Sequence, residues 1–212
     1  DVVLVPNPGY PVFTAGPFLC GAKVETYDLH PENNFLIEFD KIPEEQARRA
    51  KMMIVSYPLN PVCVTAPDSF YEELIAFAKK YNIIILHDNA YSDIIYGGKV
   101  GKSFLSFEGA RDVGVEFYSL SKSYNYTGAR MSFVVGNQAV IDKFKNVRSQ
   151  IDYGIFLPVQ YGAIAALTGP QDAVKAQCEE YDRRNHALSE GLTSIGWKVP
   201  LSQGTMFSWA PI

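Results

Sequence analysis

Short apolar runs rich in β-branched residues alternate along this chain with stretches of helical periodicity, and no other feature restricts the fold as much. The runs read as strands at Val2–Val5, Lys23–Tyr27, Met52–Ser56, Ile83–Leu86, Val115–Ser119 and Ser132–Val135. Ile83-Ile84-Ile85-Leu86 offers no polar residue to water, as expected of a strand covered on both faces of a sheet. Between strands, Phe70, Leu74, Phe77 and Tyr81 fall at helical spacing, with a start expected at Thr65 (cap), Pro67 (first turn) and Asp68. Further helices are expected over 138–149, 155–168 and 171–195. Strand and helix in repetition imply an α/β fold in three layers, a mainly parallel sheet flanked by helices.

With 212 residues, 47% of them hydrophobic, the chain is long enough to bury a real core. A formal net charge of −4 gives no pull toward nucleic acid or an anionic membrane. Arg48, Arg49 and Lys51 read as a solvated helix face. No apolar run is long enough to span a bilayer. Cys20, Cys63 and Cys178 lack metal-site or CxxC spacing, which points to reduced thiols and a cytoplasmic protein. The chain opens within a strand-like run, and its end, Phe207 to Ile212, also reads as a strand stopped midway. The expectation is a piece of a longer protein, with one large domain over 1–195 and the start of a smaller one over 196–212. The charged helix over 171–195 leads out toward Trp197-Lys198-Val199.

In parallel α/β sheets, ligand-binding groups gather where loops leave the carboxyl ends of strands. Three polar clusters obey that rule: Asn60-Pro61, then Asp88 with Tyr91, then Ser119, Ser121 and Lys122. Each residue has a plainer reading: Asp88 as the cap of a helix starting near Tyr91, Lys122 as a surface lysine, Asn60 as a turn residue. The string from Ser119 to Arg130 weighs against these. Hydroxyls beside a lysine, with an arginine eight residues after it, supply phosphate-binding groups around an amine able to form an imine.

Four motifs, Pro6-Asn7-Pro8-Gly9-Tyr10-Pro11, Tyr57-Pro58-Leu59-Asn60-Pro61, His87-Asp88-Asn89-Ala90-Tyr91 and the Ser119–Arg130 string, run in order along nearly the whole chain. Together they resemble the class I/II aminotransferases of pyridoxal-phosphate fold type I. The resemblance implies the large domain of such an enzyme, with pyridoxal 5′-phosphate as cofactor. It implies that Lys122 carries the cofactor as a Schiff base and shuttles the substrate proton. Asp88 would pair with the ring nitrogen, Asn60 and Tyr91 would bond the ring 3-oxygen, and Tyr10 would stack on the ring. Ser119, Ser121, Arg130 and the backbone near Leu120 would hold the phosphate. Catalytic roles thus fall on Lys122, Asp88 and Tyr91. Val62-Cys63 replaces the family's usual Thr-Gly, and Ala129 stands where Trp is common; altered packing is expected there, with the same reaction.

The family's chain is about twice this length, so an N-terminal substrate-closing segment and a carboxylate-gripping C-terminal domain are expected outside these residues. By the same resemblance the isolated chain binds cofactor weakly and turns over poorly. The stretch Arg148 to Gln160 looks most like alanine-type (glutamate–pyruvate) enzymes, with LL-diaminopimelate and aspartate aminotransferases as near relatives. Substrates would be an amino acid and a 2-oxo acid, and the full-length protein a homodimer. Two other readings remain open: a pyridoxal-phosphate-dependent carbon–sulfur lyase, and a non-catalytic aminotransferase-like effector domain.

Overall fold

In the computed structural model, which describes residues 1–212, six strands form one sheet: β1 (Val2–Asn7), β2 (Lys23–Asp28), β3 (Ala50–Ser56), β4 (Ile84–Asp88), β5 (Gly114–Ser119) and β6 (Ser132–Gly136). Their order is β2-β1-β3-β4-β5-β6; all neighbours pair in parallel except β6, which runs antiparallel to β5. The helices are α1 (Val12–Leu19), α2 (Glu44–Arg49), α3 (Asp68–Tyr81), α4 (Ala110–Val113), α5 (Leu120–Ser123), α6 (Gln138–Arg148), α7 (Leu157–Thr168) and α8 (Asp172–Ser194). The chain steps from β1 outward to β2 and then returns to place β3 on the other side of β1. That reversal makes the carboxyl ends of β1 and β3 the topological switch point, beside which open α/β sheets bind ligands.

The principal core lies between one face of the sheet and α3. Phe70, Tyr71, Leu74, Ile75, Phe77 and Ala78 of this helix are buried against Leu4, Met53, Val55 and Ile85. The start of α3 differs from the expectation: Pro67 occupies the cap position without a side-chain bond, and the Thr65 hydroxyl donates to Gln203 Oε1 at 2.9 Å. A partner distant in sequence has thus taken the group that local reasoning assigned to the helix. Arg48 and Arg49 are exposed on α2 as expected, whereas Lys51 lies on β3, because the helix ends at Arg49.

The opposite face is covered more thinly. Val3, Val5 and Ile54 meet Phe13 of α1, and Phe117 meets Phe144 of α6 edge-on. Coverage of β4 is therefore unequal, with Ile85 and His87 fully buried and Ile84 and Leu86 only half-buried. Along α7 only Ala163 is buried, while Tyr161, Ile164 and Leu167 are exposed. Residues 207–212 form no strand; the segment before them is tied into the body by the Ile95–Gly204 bridge and by Asn185, which donates to Ser202 O at 3.2 Å. No helix is long and apolar enough to cross a membrane.

On the α3 side of the sheet, a polar pair is sealed in the core. His87 and Glu116 face each other across β4 and β5, with side chains 0% and 7% exposed and Nδ1 to Oε2 at 3.0 Å. Ser103 Oγ and the Phe104 amide donate to the same carboxylate at 2.8 and 2.7 Å. Burial pushes Glu116 up, but the bonds from His87, Ser103 and Phe104 outweigh it and hold the carboxyl below its ordinary range. A group with a depressed folded pKa stabilises fully above its unfolded value and loses that contribution as pH falls through the folded one. Glu116→Gln should therefore cost about 3 kcal/mol in denaturant unfolding near neutral pH, since it leaves one buried partner unmatched. The paired change His87→Phe with Glu116→Leu should recover much of that loss. Equal stability of Glu116→Gln and the parent would refute this account.

Candidate active site

The end of β1 supplies Tyr10, the end of β3 Asn60, the end of β4 Asp88 and Tyr91, and the end of β5 the run from Ser119 to Lys122. Register brings them level: Ser56 pairs with Asp88, and Asp88 with Phe117. Because side chains alternate across a strand, Asp88 faces away from the buried His87 and toward the thinly covered side.

Asp88 is half-buried, and burial raises its carboxyl pKa against the opposing pull of His87, the Ala90 amide and the Lys122 ammonium. A second cation docked against it would oppose that rise. No helix starts near Tyr91, where the chain makes a turn, so Asp88 is not a cap. Tyr91 is 5% exposed, and its hydroxyl is pushed up to about 12 by burial and by the Asp88 charge, with the Asn60 side chain opposing. The Lys122 ammonium stands over the Tyr91 ring at 5.8 Å, a cation–π distance. Tyr10 acts on the Tyr91 hydroxyl from the same cluster; its own ring is 42% exposed and meets Phe13 edge-on at 5.7 Å. Five of the sequence-predicted residues, Tyr10, Asn60, Asp88, Tyr91 and Lys122, are therefore brought together by the sheet.

The remaining four lie along the lysine turn. Ser119 caps α5 by accepting the Ser121 amide at 3.2 Å, Ser121 is buried, and the Leu120 side chain is fully buried, so only its backbone is left to face a ligand. Arg130 is exposed with a left-handed backbone; its side chain donates to Thr127 O at 3.1 Å and pairs with no carboxylate. An exposed guanidinium that pairs with no carboxylate suits an anion such as phosphate. Amine, carboxylate, ring-oxygen donors and anion-binding groups thus fit an aldehyde cofactor that carries a phosphate.

Several contributors carried no sequence signal. Phe207, read as part of a strand, meets Tyr91 edge-on at 5.7 Å. Gln203 N donates to Cys63 O at 2.9 Å and Thr205 N to Ile94 O at 2.8 Å, so the segment after α8 braces the Asn60 and Tyr91 loops. Gln177 Nε2 donates to Lys122 O at 2.6 Å. His87, at the end of one apolar run, and Glu116, inside another, are joined only by strand register.

Known proteins resemble this chain over its whole length. The family model described as aminotransferase class I and II matches residues 1–212. The chain is 47% identical to the LL-diaminopimelate aminotransferase of Halothermothrix orenii, covering 100% of this chain and 54% of that protein. It is 42% identical to the glutamate-pyruvate aminotransferase AlaC of Escherichia coli, covering 100% of this chain and 52% of that one. Among solved structures, substrate-bound BacF from Bacillus subtilis superposes with a TM-score of 0.97 at 36% identity, over 100% of this chain and 54% of that one. The chain spans about half the length of the curated relatives it matches.

Cys63 takes a left-handed φ of 64° and is 1% exposed; it accepts from Thr205 Oγ1 at 3.2 Å, and burial raises its thiol pKa. A thiol that is sealed and protonated reacts poorly. In the native chain, a thiol reagent should modify the exposed Cys20 first and reach Cys63 only on unfolding. Peptide mapping after a short exposure checks this; early labelling of Cys63 would show that the loop opens.

Proposed function

The chain belongs to the class I and II aminotransferase family, and we propose that it is the cofactor platform of an enzyme that transfers an amino group between an amino acid and a 2-oxo acid. Enzymes of this class depend on pyridoxal 5′-phosphate. The observation that carries the reading is the strand-end cluster itself: a half-buried Asp88 and the Lys122 ammonium over Tyr91, with Asn60 and Tyr10 acting on the same Tyr91 hydroxyl.

Lys122 would hold the cofactor covalently through its amine, and Ser119, Ser121, Arg130 and the Leu120 backbone would anchor the phosphate. Asp88 would hold the proton on the ring nitrogen; its burial makes an unpaired carboxylate costly and a facing cation welcome. Tyr91 and Asn60 would donate to the ring 3-oxygen, and Tyr10 would cover the ring face. When bound, the cofactor supplies an electron sink for charge developing at the amino acid Cα. Lys122, once its amine is free, would move the proton at that Cα.

Residues 1–195 would form the large domain, and 196–212 would lead into a second one beyond α8. The run of exposed apolar residues Tyr153, Phe156, Leu157, Tyr161 and Ile164 supports assembly as a homodimer. The three free cysteines suit a reducing cytoplasm. The names of the relatives supply the first donors to assay, alanine or glutamate on one side and LL-diaminopimelate on the other.

Two variants test the platform. With pyridoxal phosphate and borohydride, the parent should retain reduced cofactor on the peptide containing Lys122, and Lys122→Ala should retain none while keeping the circular dichroism of the parent. Asp88→Asn should still form the adduct, while cutting turnover of the full-length enzyme by roughly a hundredfold or more, in the range seen for lost electrostatic groups. Adduct on another lysine, or undiminished adduct in Lys122→Ala, would overturn the assignment.

A further inference from the structure

Lys122 sits on a single helical turn, α5, flanked by loop. A four-residue helix cannot sustain itself, and its carbonyls are met along the backbone only by amides just after it, Tyr124 and Tyr126 on Leu120 O and Asn125 on Lys122 O, at 3.2 to 3.3 Å. The position of the turn must therefore come from bonds made outside it. Thr127 Oγ1 donates to Ser121 O at 2.8 Å, a local brace. The others reach much farther. Gln177 on α8 donates its amide to Lys122 O at 2.6 Å across 55 residues of sequence, and Tyr124 donates its hydroxyl to Gln171 Oε1 at 2.8 Å. Gln171 is itself fixed, since its amide donates to Ala166 O and Gly169 O at 3.0 and 2.7 Å. The start of α8 thus grips the lysine turn at two residues.

We propose that Gln177 is a positioning residue for Lys122: by holding the lysine's main-chain carbonyl it fixes the direction in which the amine leaves the backbone. The inference rests on the cofactor role proposed for Lys122. The lysine side chain is long and flexible, so a small rotation of its peptide plane displaces the ammonium from its place over Tyr91 and near Asp88. No other side chain donates to that carbonyl, whose remaining partner is the weaker Asn125 amide at 3.3 Å. The same helix runs on to Asn185 and Ser189, which bond Ser202 and Val199. One rigid element therefore registers the lysine turn against the segment that braces the Asn60 and Tyr91 loops.

The test uses Gln177→Leu and Gln177→Glu, neither of which donates to a carbonyl near neutral pH. Labelling by a small amine-reactive reagent, mapped by peptide, reports the freedom of Lys122 without cofactor, with exposed Lys143 and Lys198 as internal references. A released amine should label about fivefold faster, the effect of one ordinary hydrogen bond, while covalent capture of pyridoxal phosphate slows by a similar factor. Opposite movement of the two rates is not produced by general loosening. Unchanged Lys122 labelling in both variants, or a rise shared by Lys143 and Lys198, overturns the proposal. Failure of the parent chain to capture cofactor counts against the cofactor reading, whereas the labelling ratio still decides the role of Gln177.

Discussion

The side-by-side register of β3, β4 and β5 is the constraint on which the rest of this structure depends. It sets Ser56, Asp88 and Phe117 at one level, so that loops leaving three strands emerge around a common point. A slip of one residue in β4 would turn Asp88 into the core and His87 into the crevice, because side chains alternate along a strand. The buried His87–Glu116 pair opposes such a slip, since neither polar group can leave its partner without an uncompensated desolvation cost. A polar interaction on one face of the sheet thereby holds the chemistry on the other.

Support for the candidate site is distributed unevenly. Asp88 stands on a strand, the most rigid part of the scaffold, and its neighbours are set by the ladder. Lys122 stands on one helical turn and relies on α5's own cap, on Thr127 and on the start of α8. The Asn60 and Tyr91 loops are joined through Gln203, Gly204 and Thr205. The segment after α8 is consequently part of the site's framework, although it lies far along the chain from every residue it steadies.

The α3 face of the sheet is filled by aromatic and branched side chains, whereas α6 has no buried residue and α7 has one. That contrast locates the surface where further protein would gain most from docking, and it lies on the side toward which Asp88 points.

Much of this was legible in the sequence, for reasons that can be stated. Strands and the core helix α3 follow from hydrophobic period, which is local, so Val2, Met52, Val115 and the Phe70–Phe77 stripe lie in the elements that short windows of sequence predict. The order of the four motifs gave the family, since each is a short string whose chemistry is carried by adjacent residues. Local reading failed where a distant partner took a group: Thr65 serves Gln203 in place of a helix cap, and Phe207, at the start of a strand-like run that forms no strand, packs on Tyr91. Sequence by itself determined which residues form elements and which types of group are available for chemistry. Only the tertiary structure decided that Phe207 meets Tyr91, that Glu116 bonds His87 and that Gln177 holds Lys122. Those contacts join residues 29 to 116 positions apart, and side-chain direction and strand register, which no local pattern encodes, bring them within bonding distance.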